Sequence, residues 1–367
     1  MIPGAERIVD LDKAWAETHR GAQLRAVRRA AEQVRERLAQ GPRCIAVRTL
    51  PLTTLAYPTR YAFWTAAFTP APFVMLTHRC VLVQFFQKGE LKNLLFNPTD
   101  IDGARATPFF ARMIEQLGQR LSDLVATRFE PLEAQLARHG IKPEDIDYVA
   151  FDHFHTQDLR GLLGTAGGSR PARFPNAKLL APKNEWEDWD DLHPLQRAWF
   201  VRDGKLGVHT ENIILTEGDL ALGDGVMLLR TPGHTSGNQT LFLATESGIW
   251  GISENGTCAD NWSPLESRIR GLASMCKKQD LDIVLNANTP ELGAVQYTSM
   301  VLERTIVDRV RRAPAFVQMF SSSEVTPSLL APGLSPTILH HAITHGEIAR
   351  PAARTGRSPA ESVQAIA

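Results

Sequence analysis

Short runs of β-branched and aromatic residues, separated by proline and glycine, dominate the chain from residue 43 to residue 100. Runs such as CIAVRTL, FVMLTH and CVLVQFF are typical of a meander of buried strands. A second group of such runs lies between residues 178 and 286, and helical patterns follow both groups. Two strand-rich halves with helices outside them predict an α/β fold, a four-layer αββα sandwich.

The two ends of the chain depart from this pattern. Residues 10–40 are rich in Ala, Arg, Glu and Gln, and their apolar residues recur at the steps of three and four that are typical of one long amphipathic helix. After Ala313 the composition turns to Ser, Pro and Ala. We therefore predict an N-terminal helical arm (1–42), one domain (43–312) and a C-terminal linker and tail (313–367).

Three more local predictions follow from the same patterns. Residues 105–138 are expected to form one helix that ends at His139-Gly140. The run DLDIVLN, Asp280 to Asn286, is expected to be a strand, and Leu292 to Arg312 a helix.

Charge and composition narrow the function classes. The 367 residues carry 40 Lys plus Arg and 40 Asp plus Glu, so no basic surface favours binding of nucleic acid. The longest apolar stretch, Phe73 to Phe86, is interrupted by His78-Arg79 and is too short to span a bilayer. The N-terminus has no apolar signal segment, and Cys44, Cys80, Cys258 and Cys276 are widely spaced. We expect a cytoplasmic protein with reduced, buried thiols and no membrane or nucleic-acid partner.

The segment Asp152-His153-Phe154-His155-Thr156-Gln157-Asp158 directly follows a predicted buried strand. Two histidines at positions i and i+2 of an extended segment lie on the same side, where they can chelate one metal ion. The same pair can instead be ordinary polar side chains at the end of a strand. This motif alone leaves both interpretations open.

A third histidine lies in the same kind of position. His234 belongs to the turn TPGHTSGN, directly after the predicted strand VMLLR. Three imidazoles on loops that follow buried strands can bind Zn²⁺ and leave one coordination position for water. Zinc lowers the pKa of that water towards about 7, which supplies a nucleophile at neutral pH.

The segments IKPEDIDYVAFDHFH, FPNAKLLAPKNEWE, LTEGDLALGDGV and TPGHTSGNQTLFL resemble, in order and spacing, those of the metallo-β-lactamase fold hydrolases. The resemblance covers about residues 43–312 and implies a divalent metal, with Zn²⁺ expected and Mn²⁺ or Fe²⁺ as alternatives. It implies that His153, His155 and His234 hold the first metal.

The second metal position departs from the family pattern. Gln157 and Asp158 stand where the family has Asp and His, Glu254 is the nearest equivalent of its bridging Asp, and Asn288 that of its last histidine. The resemblance therefore implies metal ligation by the three histidines with Asp158 and Glu254. One metal ion is favoured over two, because the remaining donors are mostly oxygens. Whether Gln157, Asn255 or Asn288 contacts metal is left open.

Both carboxylates have a second interpretation. Asp158 is either a catalytic group that acts on the proton of the metal-bound water, or a structural residue that pairs with Arg160 or caps a helix near Leu159. Glu254 is either a ligand or a carboxylate in a solvated loop. Asp152 is a candidate for orienting one of the histidines.

The resulting first hypothesis is a metal-dependent hydrolase. It would use a metal-bound hydroxide on a small, largely apolar ester, lactone or activated aryl ether. The alternative is a degenerate, non-catalytic subunit of a hetero-oligomeric hydrolase, and homo-oligomers are also expected because the N-terminal helix and the tail are natural contact elements. An iron-based oxygenase ranks last.

Other aromatic and histidine residues remain open in function. Aromatic residues between Tyr57 and Phe86, and Trp186, Trp189 and Trp199, are either a wall of the substrate site, or ordinary core or a subunit interface. His340, His341 and His345 are expected on a surface helix rather than at a metal site, and His78 is expected to be structural.

Overall fold

The structure of the protein is a computed structural model that describes residues 2–117 and 126–350. Its strands are β1 (Glu6–Ile8), β2 (Ala46–Pro58), β3 (Phe73–Gln87), β4 (Glu90–Phe96), β5 (Tyr148–Ala150), β6 (Lys178–Pro182), β7 (Ile213–Thr216), β8 (Asp219–Gly223), β9 (Val226–Arg230), β10 (Gln239–Thr245), β11 (Gly248–Ile252), β12 (Arg309–Val310), β13 (Ala313–Val317), β14 (Met319–Phe320), β15 (Ser323–Thr326) and β16 (Thr344–His345). Its α-helices are α1 (Asp12–Trp15), α2 (Arg20–Gln40), α3 (Thr59–Ala62), α4 (Ile101–Ala104), α5 (Pro108–Leu117), α6 (Leu132–Arg138), α7 (Arg160–Leu163), α8 (Lys183–Asp188), α9 (Ala259–Trp262), α10 (Leu272–Gln279) and α11 (Gly293–Ile306).

Two large sheets form the centre of the molecule. One has the order β16-β2-β3-β4-β5-β6-β7, with β15 also paired to β3, and the other has the order β1-β8-β9-β10-β11-β14. Strands β4 to β7 are parallel, so the chain leaves β5 and β6 at the same edge of the first sheet. That edge carries the first histidine motif.

Alternation of side chains along the strands produces three apolar layers. In β10, Leu241 and Leu243 face the other sheet, whereas Phe242 faces the helices α2 and α11. In β3, Val81 and Val83 face the second sheet and Leu82 faces the opposite side. Because successive side chains of a strand point to opposite faces, each sheet has apolar packing on both of its faces. The predicted four-layer αββα architecture is confirmed.

Both predicted extensions contact this architecture, and the domain boundaries themselves stay a prediction. Strand β1 pairs with β8, and the buried face of α2 packs in the same apolar layer as α11, so the N-terminal segment packs on its own domain. At the other end, β14 pairs with β11 and β15 pairs with β3. The Ser-rich composition after residue 313 therefore accompanies edge strands, not a linker. Residues 351–367 of the predicted tail lie outside the described residues.

Two local predictions are wrong. In place of the single helix predicted for 105–138, the structure has the two helices α5 and α6. Pro131 precedes α6, and Arg128 forms an isolated β-bridge with Thr53, so the chain between them is not helical there. Residues 118–125 lie outside the described residues. The segment 280–286 is not a strand of either sheet, although its backbone donates singly to Asn261 and Asn255. Helix α11 ends at Ile306, six residues before the predicted end. The Gly140 stop after α6 is present, with a φ of 72°.

Candidate metal centre

The first histidine loop begins where β5 ends. Phe151 and Phe154 are fully buried and anchor the loop in the core, with the Phe154 ring 5.3 Å from that of Trp189. His153 and His155 flank Phe154 and therefore point away from that core. Their rings lie 4.7 Å apart. Burial of the intervening phenylalanine thus aims both imidazoles to one side.

The second loop begins where β9 ends. Thr231 donates its N–H to the Asn238 carbonyl at 2.9 Å, which closes the turn around His234. Gly233 has a φ of 150° and lies against α11, where an added Cβ would come within 2.2 Å of the Gln296 Cα. Only glycine permits so close an approach of the turn to the helix.

The two loops bring the three predicted histidines together. One nitrogen from each of His153, His155 and His234 lies within 4.8 Å of the others, and all three residues are buried. His155 Nδ1 and His234 Nε2 are 3.2 Å apart. Two nitrogens bound to one tetrahedral zinc at about 2.0–2.1 Å would be about 3.3 Å apart. Among the described residues, this is the one group of three or more His, Cys, Asp or Glu side chains with metal-binding spacing.

Neighbouring side chains fix the orientation of two of these rings. His153 Nδ1 lies 2.7 Å from Asp152 Oδ1, so the ring donates there and leaves Nε2 as the free acceptor. His155 Nε2 lies 2.6 Å from Gln196 Oε1, and the Gln196 amide donates to Glu291 at 2.7 Å. That second bond fixes the amide orientation, so His155 Nε2 carries the proton and Nδ1 faces His234.

The electrostatics keep the three imidazoles neutral. Burial lowers the pKa of His153 to about 3. Burial, with the neighbouring imidazoles, lowers the pKa of His155 and of His234 well below the usual value. Neutral imidazole is the form that binds a metal ion.

Asp158 does not join this group. Its carboxylate accepts from Arg160 Nε at 2.8 Å and Arg160 Nη2 at 2.6 Å, and Arg170 approaches to 3.4 Å. Burial opposes its charge, but the bonds from Arg160 outweigh burial and lower the pKa of Asp158. The carboxylate does not line the cavity that contains the histidines. In this structure Asp158 therefore makes the pairing with Arg160 that is its structural alternative, and its catalytic and metal-binding role stays a prediction.

Glu254 lies beside the histidines. It lines the same cavity as Asp152 and the three imidazoles and is 8% exposed, so it is not in a solvated loop. Burial raises the pKa of both carboxyl groups, and the nearby Asp152 adds to the increase for Glu254. Metal ligation by Glu254 stays a prediction.

Three oxygen atoms near the histidines have no hydrogen-bond donor. They are Asp152 Oδ2, Gln157 Oε1 and Asn288 Oδ1, all buried and all on residues that line the cavity. The orientation of Gln157 is fixed, because its amide nitrogen donates to Thr99 Oγ1 and to the His155 carbonyl. Buried acceptors without donors are costly unless a cation or water satisfies them. Asn255 does not share this role, because its side chain bonds Glu303 and the backbone of His234.

Glu185 is a residue of the site that the sequence analysis missed. It is 1% exposed, and its two oxygens accept from the Phe154 N–H at 2.6 Å and from Thr235 Oγ1 at 2.9 Å. One carboxylate thus joins the two histidine loops. Gly237 makes room for it, since a Cβ there would come within 2.4 Å of the Glu185 Cβ. Burial raises the pKa of Glu185 to about 8.

The cavity also has an extensive apolar lining. Tyr57 and Trp199 line it, so part of the aromatic wall expected from sequence is present. Phe63 and Phe85 are instead fully buried in the core, and Phe68 is 74% exposed. The remaining apolar lining comes from β2, β3, α4 and α5: Leu55, Ala56, Leu76, Ile101, Ala104, Phe110, Met113 and Ile114.

The other histidines take no part in this group. His340 is buried and bonds the Met319 carbonyl, and His345 belongs to β16, so the predicted surface helix is absent from this stretch. The four cysteines are free and buried. None of the described helices has the length and apolar character needed to cross a membrane.

Comparison with known proteins gives three relevant findings. No protein-family profile matches the chain. An N-acyl homoserine lactonase of Bacillus thuringiensis is 33% identical over 111 residues, which are 30% of this chain and 38% of the relative. One from Bacillus cereus is 34% identical over 115 residues, which are 31% and 40%. The chain therefore matches about two fifths of the length of these relatives.

A solved structure establishes the fold. The crystal structure of a probable metal-dependent hydrolase from Staphylococcus aureus superposes with a TM-score of 0.51 at 16% identity, covering 70% of this chain and 82% of that one. Two stacked sheets with outer helices, and a histidine group on loops at the sheet ends, define the class. The chain has the metallo-β-lactamase fold, as the sequence motifs predict.

Proposed function

We propose that the protein is a metal-dependent hydrolase that acts on a small, largely apolar lactone or ester. The observation that carries the proposal is the histidine group at the base of an apolar cavity. The similarity of about a third of the chain to N-acyl homoserine lactonases supports a lactone as substrate. The activated aryl ether predicted from sequence has no such support.

The residues present fit a zinc ion. His153 and His155 each offer the nitrogen that their neighbours leave free, and His234 Nε2 lies at ligand spacing from His155. The oxygens of Asp152, Gln157 and Asn288 have no hydrogen-bond donor within the described part of the chain. A bound Zn²⁺ would polarise the substrate carbonyl and lower the pKa of a bound water. We propose one zinc ion per chain, because the second position lacks imidazole donors.

We propose that Glu254 has the role in proton transfer that the sequence analysis expects of Asp158. It borders the cavity, whereas both oxygens of Asp158 are bound to arginine. A carboxylate within reach of the reacting groups can hold and return a proton during ester or lactone cleavage. Asp152 keeps His153 in one tautomer and stays a positioning residue.

The apolar wall sets the substrate class. Side chains of Phe110, Met113 and Ile114 from α5 line the same cavity as the histidines. An acyl or alkyl group can be buried against them while the scissile carbonyl lies at the histidines. N-acyl lactones with an apolar acyl chain fit a cavity that is lined by both kinds of side chain.

The test combines metal analysis with hydrolysis. We expect the purified protein to bind about one equivalent of Zn²⁺ and to open N-acyl homoserine lactones and aryl esters, with the activity lost on chelation and restored by Zn²⁺. His155→Ala should abolish both binding and turnover, whereas His139→Ala, outside the group, should change neither. Protein that binds no Zn²⁺, Mn²⁺ or Fe²⁺ would contradict the proposal. Protein that binds zinc but opens no ester or lactone would favour the supporting-subunit hypothesis.

The oligomeric state stays a prediction. The N-terminal helix, which the sequence analysis offers as a contact element between subunits, supports it less. The buried face of α2 packs against α11 within the chain. It is therefore not an unpartnered surface that a second subunit must cover.

A further inference from the structure

His78 lies in the wall of the histidine cavity and has a hydrogen-bond partner at each ring nitrogen. Its Nδ1 lies 2.9 Å from Ser323 Oγ, and its Nε2 lies 2.9 Å from Thr99 Oγ1. His78 and Ser323 face each other because they are register partners in the antiparallel pair β3 and β15. The C-terminal segment, expected to be a linker, thus contributes a side chain to the cavity.

The direction of these hydrogen bonds is determined by the groups at the Ser323 end. The Ser323 hydroxyl donates its one hydrogen to the Glu254 carboxylate, so Ser323 Oγ accepts from His78 Nδ1. A neutral imidazole that carries its proton on Nδ1 accepts at Nε2. The Thr99 hydroxyl, which accepts from Gln157 Nε2 at 3.1 Å, therefore donates to His78 Nε2. Burial lowers the pKa of His78 to about 4, in agreement with a neutral ring.

The other end of this connection is the Glu254 carboxylate. The Ser323 N–H donates to Glu254 Oε1 at 2.6 Å, and the Ser323 hydroxyl also bonds that carboxylate. A continuous chain of hydrogen bonds therefore runs from Gln157 through His78 to Glu254. All of its members line the cavity.

We propose that His78 is a positioning residue of the hydrolytic site, which holds Glu254 through Ser323 and Gln157 through Thr99. The inference rests on the proposed function, since Glu254 is the group that it positions. Without His78, Glu254 would keep the bonds from the Ser323 N–H and the Ser321 side chain, and Gln157 its bond to the His155 carbonyl, but the Ser323 and Thr99 hydroxyls that also hold them would lose their fixed orientation.

His78 could also serve only to pair β3 with β15, and an experiment can separate that structural role from the positioning role. The same ladder contains a second side-chain hydrogen bond, between the hydroxyls of Thr77 and Thr326 at 2.9 Å, and neither threonine lines the cavity. Thr326→Val removes that bond and is the matched control. His78→Phe keeps the flat ring and removes both hydrogen bonds, and His78→Gln keeps one donor and one acceptor.

For the zinc-loaded enzyme, we expect His78→Phe to lower kcat by about tenfold or more, the effect typical of lost supporting residues, with KM and zinc affinity within about threefold of wild type. His78→Gln should restore most of kcat, and Thr326→Val should not change it. In a Glu254→Gln background, His78→Phe should lower kcat little further, because its effect passes through Glu254. Equal losses in both backgrounds, or an equal loss in Thr326→Val, would overturn the proposal.

A measurement that needs no substrate separates this inference from the proposed function. Nitrogen-15 spectra of histidine-labelled protein should show His78 with its proton on Nδ1, and Ser323→Ala should disturb that signal. A proton on Nε2 would overturn the chain even in an active enzyme. An inactive wild type whose His78 carries the Nδ1 proton, with the signal sensitive to Ser323→Ala, would contradict the proposed function while retaining the hydrogen-bond chain.

Discussion

The Glu185 carboxylate accepts the backbone N–H of Phe154 at 2.6 Å, at the residue between His153 and His155. Its other oxygen accepts the hydroxyl of Thr235, the residue after His234. One buried side chain of α8 therefore joins the two histidine loops, in addition to the bond from the Gln239 N–H to the Asp152 carbonyl.

Glu185→Ala should weaken zinc binding by about 10- to 100-fold, the usual cost of removing a group that supports metal ligands. The variant leaves the Phe154 N–H buried without an acceptor, which costs about 1–3 kcal/mol of folding free energy. Isothermal titration with Zn²⁺ and thermal unfolding measure the two effects. Asp188→Ala is the control, since Asp188 lies on the same helix and bonds Ser236 of the same loop at the surface. Similar zinc affinities in both variants would rule out the role of Glu185.

Gln196 is expected to control which nitrogen of His155 faces the metal. Gln196→Leu removes the acceptor of the His155 Nε2 proton, so the ring can adopt the other tautomer or turn. We expect zinc affinity to fall by about tenfold. Glu291→Gln should have a smaller effect, because its amide oxygen can still accept from Gln196. Competition with a zinc indicator checks both values, and an unchanged affinity in Gln196→Leu would contradict this account.

The histidine group could be predicted from sequence because each histidine directly follows a buried strand. Strand ends of a sandwich meet at one edge, and the turn residues around His234 mark the second loop. Glu185 could not be predicted in the same way. Its partners are 31 and 50 residues away along the chain, and a glutamate in the run KNEWED looks like an ordinary surface residue.

The same limit applies to Asp158 and to the C-terminal strands. Sequence leaves Asp158 equally able to bind a metal or an arginine, and the choice depends on where Arg160 and Arg170 fold. Strands β14 and β15 are short and lie on either side of Ser321 and Ser322, so this stretch resembles a linker in sequence. They are strands because β11 and β3 offer unpaired edges beside them.

Asp158→Asn tests the structural role directly. We expect zinc affinity to change by less than about threefold and folding to be destabilised by about 1–3 kcal/mol, because Arg160 loses a buried, charged partner. The pKa of Asp158 is lowered in the folded protein, so its contribution is present above the unfolded value near 3.8 and is lost as pH falls below it. The difference in melting temperature between the variant and wild type should therefore be full at pH 6 and shrink below about pH 4. A large loss of zinc affinity with unchanged stability would show instead that Asp158 contributes to metal binding.

The apolar wall predicts how activity depends on the substrate's acyl chain. Phe110 is one of the larger apolar side chains that line the cavity, and it belongs to α5. Phe110→Ala removes apolar contact from the acyl group and keeps the histidines and carboxylates of the cavity. We expect kcat/KM for long-chain N-acyl lactones to fall by about 10-fold or more, and that for short-chain ones to change little, since each lost methylene contact is worth about 1 kcal/mol. A chain-length series of lactones measures this. Equal losses of kcat/KM for short and long acyl chains would show that the acyl group does not contact Phe110. Phe129→Ala, at an exposed position outside the cavity, is the control.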